Sequence, residues 1–245
     1  MSIWENWRRG RGLRTSGFDM STGTSPVRLT RRQSTLSLTR QGADSGTMRI
    51  NLSWRMLSSG FETASRPLWR NPLSVFKPEV VRAPTQAVVS VDLDLACMYE
   101  LADGSKGVVQ PLGELYGELN APPYVKLSGD DRFGSGSGET MYINLDHADE
   151  IQRLLIFVYI YDGTPAFSRT SAVVTLVPSS GPQIEVSLDE RAPQARSCAV
   201  ALIERVKDEL VVRREVRYVY GFQSELDHLY GWGLQWGRAT KSGRV

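Results

Sequence analysis

The chain has 245 residues, 41% of them apolar and 23% charged, with a formal net charge of +2. That is ordinary composition for a soluble globular protein, long enough to bury a full core as one large domain or two small ones. No apolar run approaches the roughly 18 residues of a membrane span, and two cysteines with two histidines are too few for a Cys/His metal site.

The charge is unevenly spread. Residues 1–45 hold eight arginines against Glu5, Asp19 and Asp44, a balance of +5, which leaves the remainder at −3. Residues 1–26 are rich in Arg, Gly, Ser and Thr without a hydrophobic period and read as a disordered basic tail. Their opening, MSIWENWRRGRG, has no apolar core, so no secretory signal is expected. With Trp4 and Trp7, the tail also has the makings of a weak membrane-surface anchor or a nucleic-acid arm.

From Val27 the texture changes. Ser34–Thr39 and Met48–Trp54 alternate apolar and polar residues around the turn sequence QGADSG, which predicts a hairpin with a longer loop. Residues 57–84, with Pro67, Pro72, Pro78 and Pro84, read as a loop or insertion. Strand-like runs follow at 87–99, 124–127, 140–145, 154–161, 172–177, 184–188, 198–206 and 210–220, separated by turn chemistry such as DGSKG, YDGTP and PSSGP. Helical signal is confined to 223–229, with one or two turns at 146–152. Many strands at short spacing and few helices predict an all-β fold, a β-sandwich over residues 27–245.

The most unusual stretch is Ser128–Glu139, SGDDRFGSGSGE. It lacks the spacing of a phosphate-binding loop, runs into a strand rather than a helix, and is flanked by acids that repel phosphate. Glycines can also bend a loop so that carboxylates and carbonyls converge on a hard cation, with Asp130, Asp131 and Glu139 as local candidates. A solvated turn fits the same residues. Upstream, Asp92 and Asp94 in VSVDLDLACM alternate with apolar residues, so both project from one face of a strand, about 6.6 Å apart. Side by side they repel, which a cation between them would relieve and a fully exposed face would tolerate. A glycosidase pair must face across a cleft, which two side chains of one strand do not.

These residues carry a resemblance. VDLDL, then GDDRFGSGSGE, a strand, and an apolar strand ending IYDG resemble the tellurium-resistance TerD/TerA family; STLSLTRQG and MRINLSW resemble its opening hairpin. CMYELADGSKGVVQPLGELYG, PPYVKLSGDDR and LDHLYGWGLQW resemble the TerA branch in particular. The resemblance covers Val27 to the C-terminus. It implies a calcium-binding β-sandwich without enzyme activity, acting as a binding or scaffold module in tellurite resistance and in defence against phage, colicin, envelope or metal stress. It also implies a cytoplasmic protein at or near the inner membrane face, with other tellurium-resistance proteins, in a membrane-bound complex, as partners; no sequence-specific nucleic-acid binding is implied.

Where family members commonly carry acids between the glycines, this chain has Ser135 and Ser137, and Asp131 stands where Asn is frequent, beside Arg132. The expectation is one calcium ion rather than two, held by Asp92, Asp94, Asp130, Asp131 and Glu139. Alternative readings are a calcium-dependent carbohydrate- or ligand-binding sandwich unrelated to tellurite, and an acid/base hydrolase using Asp92 or Asp94. Asp162 in YDGTP is a turn residue or a further ligand. His147 and His228 read as structural, and the aromatic cluster Tyr218, Tyr220, Phe222, Tyr230, Trp232 and Trp236 reads as core and rim packing rather than a sugar platform. Cys97 and Cys198 sit in apolar segments and read as buried, reduced thiols.

Overall fold

The computed structural model describes residues 25–55, 91–128, 138–162, 167, 170–188 and 194–237. The expectations for the Pro-rich segment 57–84 and, save Ser25 and Pro26, for the basic tail lie outside these residues. Among the described residues the strands are β1 (Val27–Arg28), β2 (Thr35–Ser37), β3 (Thr47–Ser53), β4 (Asp92–Leu101), β5 (Lys106–Val109), β6 (Gly117–Glu118), β7 (Val125–Leu127), β8 (Glu139–Asn144), β9 (Ile151–Asp162), β10 (Val173–Val177), β11 (Ile184–Ser187), β12 (Ser197–Val206) and β13 (Glu209–Val219). One helix, α1 (Gln223–Tyr230), follows. A seven-stranded sheet runs β1-β11-β10-β3-β8-β7-β6 and a six-stranded sheet β2-β13-β12-β9-β4-β5. All pairings are antiparallel except β1 with β11. The β-sandwich expected from the sequence is the observed architecture.

The two sheets differ in how they meet solvent, and their sequences say why. In the seven-stranded sheet, β8 and β10 alternate buried and half-buried residues, because one face packs inward and the other is solvated. Strand β9 shows no such alternation: Leu154 through Ile160 are all buried. Leu154, Ile156, Val158 and Ile160 face the other sheet. Leu155, Phe157 and Tyr159 face outward into a second core, built with Ala96, Met98, Ala199, Leu202, Leu226 and Trp232. The centre of the six-stranded sheet is therefore covered on both faces, which is why LLIFVYIY reads as a continuous apolar run.

The cover on the outer face is α1 and the segment after it. The helix stops at Gly231, whose φ of 64° takes the left-handed cap conformation that favours glycine. The chain then folds back onto the sheet, with Trp232 donating from Nε1 to the Tyr99 carbonyl at 2.9 Å. Asp227, 4% exposed, fastens the return: its carboxylate accepts from Gly233 N at 2.6 Å, Leu234 N at 2.8 Å and Trp236 Nε1 at 2.6 Å. From β9, Arg153 donates to the Tyr230 and Gly231 carbonyls at 3.0 and 3.3 Å and stacks 3.9 Å from the Trp232 ring centroid. The structural reading of the aromatic cluster fits Trp232, buried here. Tyr220 and Phe222 are exposed, with Arg196 5.4 Å from the Phe222 ring centroid.

Two sequence expectations are corrected. Segments 34–39 and 48–54 do not form a hairpin: β2 pairs with β13 in one sheet and β3 with β8 and β10 in the other. QGADSG does turn the chain, but a 3-10 turn at Thr39–Gln41 with Gly42 in the left-handed region carries it across the sandwich. Leu38 and Ala43 are fully buried on either side of that crossing, so core burial outweighs local pairing. At 146–152 the chain makes a 3-10 turn, Leu145–His147, and is already in β9 by Ile151.

Both cysteines are fully buried. Cys97 lies on the inner face of β4 with Leu93 and Leu95, the side opposite Asp94, and burial pushes its thiol pKa far up. His147 stacks on Tyr124 with centroids 4.2 Å apart and lies 2.9 Å from Glu150, which also accepts from Tyr124 Oη at 2.8 Å. These contacts fit the structural role read from the sequence.

Candidate metal centre

Strand β4 is ten residues long, but its neighbour β5 pairs only with Cys97–Glu100. The first half of β4 is thus not covered by β5, and the acids of VDLDL lie in that half. An uncovered strand edge presents backbone N–H groups that need acceptors. Glu139, the first residue of β8 in the opposite sheet, supplies one: its Oε2 accepts from the backbone N of Leu95. Glu139 is 1% exposed and sits on the inward-facing row of β8 with Met141 and Ile143.

Asp94 projects to the outer face of its sheet, on the same side as Ala96 and Met98. That face is not solvated here: Asp94 is 0% exposed. The exposed-face reading of the acid pair therefore does not hold for Asp94, whose burial is a tertiary event invisible in VDLDL itself. Opposite Asp94 in register is Tyr159 of β9, also buried. Burial pushes the Tyr159 phenol far above its ordinary value, and the charge and hydrogen bonding of Asp94 and then the charge of Glu139 push it further. The phenol keeps its proton beside two buried acids.

Asp92 is half-buried one pleat earlier, next to a register irregularity in β4. Its cross-strand partner is Asp162, the exposed last residue of β9. Like charges directly opposite destabilise a ladder unless a counter-charge is supplied. Asp92, Asp94, Asp162 and Glu139 thus gather at one end of the sandwich. Among the described residues, no three His, Cys, Asp or Glu side chains close into a group able to hold a metal ion by themselves. Asp130 and Asp131, the other expected ligands, lie outside the described residues, as do Ser135 and Ser137.

The donors are all carboxylates, the hard oxygen type that calcium takes and zinc or copper sites seldom use alone. Tyr159 and Asp162 were the contributors least visible in the sequence. The first is hidden in a core strand; the second carried a turn signature that conceals its pairing with Asp92.

Gly138, the last glycine of the ladder, is the one whose role is clear. Its φ is 67°, and a Cβ there would meet the Leu52 carbonyl oxygen at 1.9 Å. The loop must enter β8 hard against β3, and only glycine permits it.

No family model matches the chain. Tellurium resistance protein TerA from an Alcaligenes species is 35% identical over 218 residues, 89% of this chain. The chain spans 59% of that protein's length. A solved structure of a protein of unknown function, SAV2460, superposes with a TM-score of 0.51 at 15% identity, covering 78% of this chain and 99% of the other. That second likeness concerns the fold. Identity across nearly the whole chain, on a β-sandwich with VDLDL at its edge, leads to one conclusion: this chain belongs to the tellurium-resistance TerD/TerA family.

Proposed function

We propose that the chain is a calcium-binding, non-enzymatic binding and scaffold module in tellurite resistance and general stress defence. The observation that carries this reading is the burial of Asp94 and Glu139 at one sheet edge, in a chain related to a tellurium resistance protein. Two buried acids in one neighbourhood repel, and a divalent cation is the counter-charge that would make their burial favourable. Asp92, Asp94 and Glu139 would hold the ion, with Asp130 and Asp131 supplied by the glycine loop and Asp162 at the rim. Calcium, when bound, supplies fixed positive charge that ties the loop to the strand edge. Tyr159 orients Asp94 and excludes water from its buried side.

A scaffold role rather than catalysis is supported by the arrangement of the acids. Asp92 and Asp94 project from one face of one strand and so do not oppose each other across a substrate-sized gap. Other tellurium-resistance proteins, in a complex at the inner membrane face, are the proposed partners, and the cytoplasm the proposed location. Among the described residues no helix is long and apolar enough to cross a membrane.

Calorimetric titration of the chelator-treated full chain with calcium tests the reading. Saturable binding near one ion per chain, weaker binding of magnesium, and loss of binding in Asp94→Asn are expected. Magnesium demands tighter octahedral geometry, which is why it should bind less well. Absence of any calcium heat would reject the metal centre. Tellurite tolerance conferred by the Asp94→Asn gene, unchanged from wild type, would reject its link to resistance.

A further inference from the structure

We propose that Gln110 and Gln223 are positioning residues for the metal centre: they hold the loop after β5 against Tyr159, and through it Asp94, and so set the affinity for calcium. The inference rests on the calcium reading above.

The geometry begins at β5. The chain leaves that strand at Val109, opposite Cys97, and runs on towards the Asp94 end of β4. Leu112, three residues later, packs on the outer core that holds Tyr159. The Tyr159 hydroxyl interacts both with Asp94 and with the Leu112 backbone. Whatever places Leu112 therefore also places the phenol beside the acid.

Two amides place it. Gln110 Nε2 donates to the Leu112 carbonyl at 3.1 Å, and Gln223 Nε2, from the first residue of α1, donates to Gln110 Oε1 at 3.3 Å. Both glutamines are buried, 3% and 4% exposed. Backbone bonds close the same loop, Gln110 N to the Leu115 carbonyl at 2.8 Å and Glu114 N to the Pro111 carbonyl at 3.0 Å. Glu114 takes a φ of 59°, a conformation that a residue with a side chain keeps where its surroundings impose it.

Burying amides carries a desolvation cost that leucines of similar size would not incur. Packing alone does not call for them here, since Leu226 of α1 and Trp232 after it are already part of the outer core. What the amides add is direction. Apolar contact is non-directional, whereas a hydrogen-bonded network fixes where Leu112 lies. Groups behind a metal ligand hold it in its binding geometry, and their loss appears in metal affinity.

Calorimetric titration of the full chain with calcium tests this, at a temperature where circular dichroism shows each variant folded. Wild type is compared with Gln110→Leu, Gln223→Leu and the double variant. Each single change should raise the dissociation constant by about three- to tenfold, less than the roughly ten- to hundredfold usual for a group bonded directly to a ligand. Gln110→Leu removes both amide bonds, so the double variant should match it rather than multiply the two single effects. Should Gln110→Leu not fold, Gln223→Leu alone decides. Ser224→Ala, exposed on the same helix, should stay within about twofold of wild type. A merely structural role would lower the melting temperature in calcium and in chelator alike and leave the dissociation constant unmoved. Calcium binding by wild type with both single variants within about twofold of it, or single effects that multiply, would overturn the inference and leave the metal centre standing. Absence of calcium binding by wild type would instead remove the metal centre, and the positioning role with it.

Discussion

At the scale of single residues, the glycine ladder shows how one sequence feature can serve two needs. Gly138 has a structural requirement independent of any ion, since a side chain would collide with the Leu52 carbonyl. Gly138→Ala combines a left-handed φ with that collision, and should cost about 2–4 kcal/mol, read as a lowered midpoint in urea unfolding. An unchanged midpoint would mean that β8 can start elsewhere. Of the metal candidates, Asp92 and Asp94 were legible because strand alternation fixes which side each residue takes. That Asp94 would be buried was not legible, since burial of a strand face depends on tertiary packing that alternation does not report. Glu139 was legible as an acid beside a loop; its bond to Leu95 N depends on β5 ending early, which no local pattern announces.

At the scale of elements, strands were the readable part. Runs such as 198–206 and 210–220 declare themselves through β-branched and apolar residues between turn signals. The failed hairpin shows the boundary of such reading: alternation identifies a strand and its buried face, not the sheet it joins. The returning C-terminal segment is held by a few groups whose loss should be measurable. Asp227→Ala leaves three N–H donors without their acceptor and should cost about 2–4 kcal/mol. Trp232 and Trp236 fluorescence should shift to the red as the segment loosens; an unaltered spectrum with unaltered stability would show the clamp to be incidental.

Glu100 gives the element its pH response. Burial raises its pKa, but the hydrogen bonds and charges of Arg153, at 2.6 Å, and Lys106, at 3.3 Å, outweigh that and leave it below the usual carboxylate value. A depressed carboxyl pKa contributes stability in full above the unfolded value of about 4.3, and loses it as pH falls through the lower folded value. Wild type should therefore lose stability below about pH 4.3 more steeply than Glu100→Gln. Parallel profiles of unfolding midpoint against pH would contradict this.

At the scale of the whole molecule, one sheet is sealed on both faces at its centre, in β4, β9 and β12, and the other is solvated on one. The six-stranded sheet carries the buried Asp94, and the seven-stranded sheet reaches across to β4 with Glu139. An ion at that junction would join the two layers and the loop between β7 and β8, so its free energy should appear in global unfolding. A ligand that binds only the folded state stabilises it by about 2.7 kcal/mol at a hundredfold excess over its dissociation constant. For a chain of this length that is a rise in melting temperature of about 5–10 °C. The most direct measurement is the thermal unfolding curve of the full chain in millimolar calcium and in excess chelator, with Asp94→Asn alongside. The metal-centre account predicts a calcium-dependent rise of that size in wild type and little or none in Asp94→Asn. Superimposable wild-type curves in calcium and chelator would contradict it.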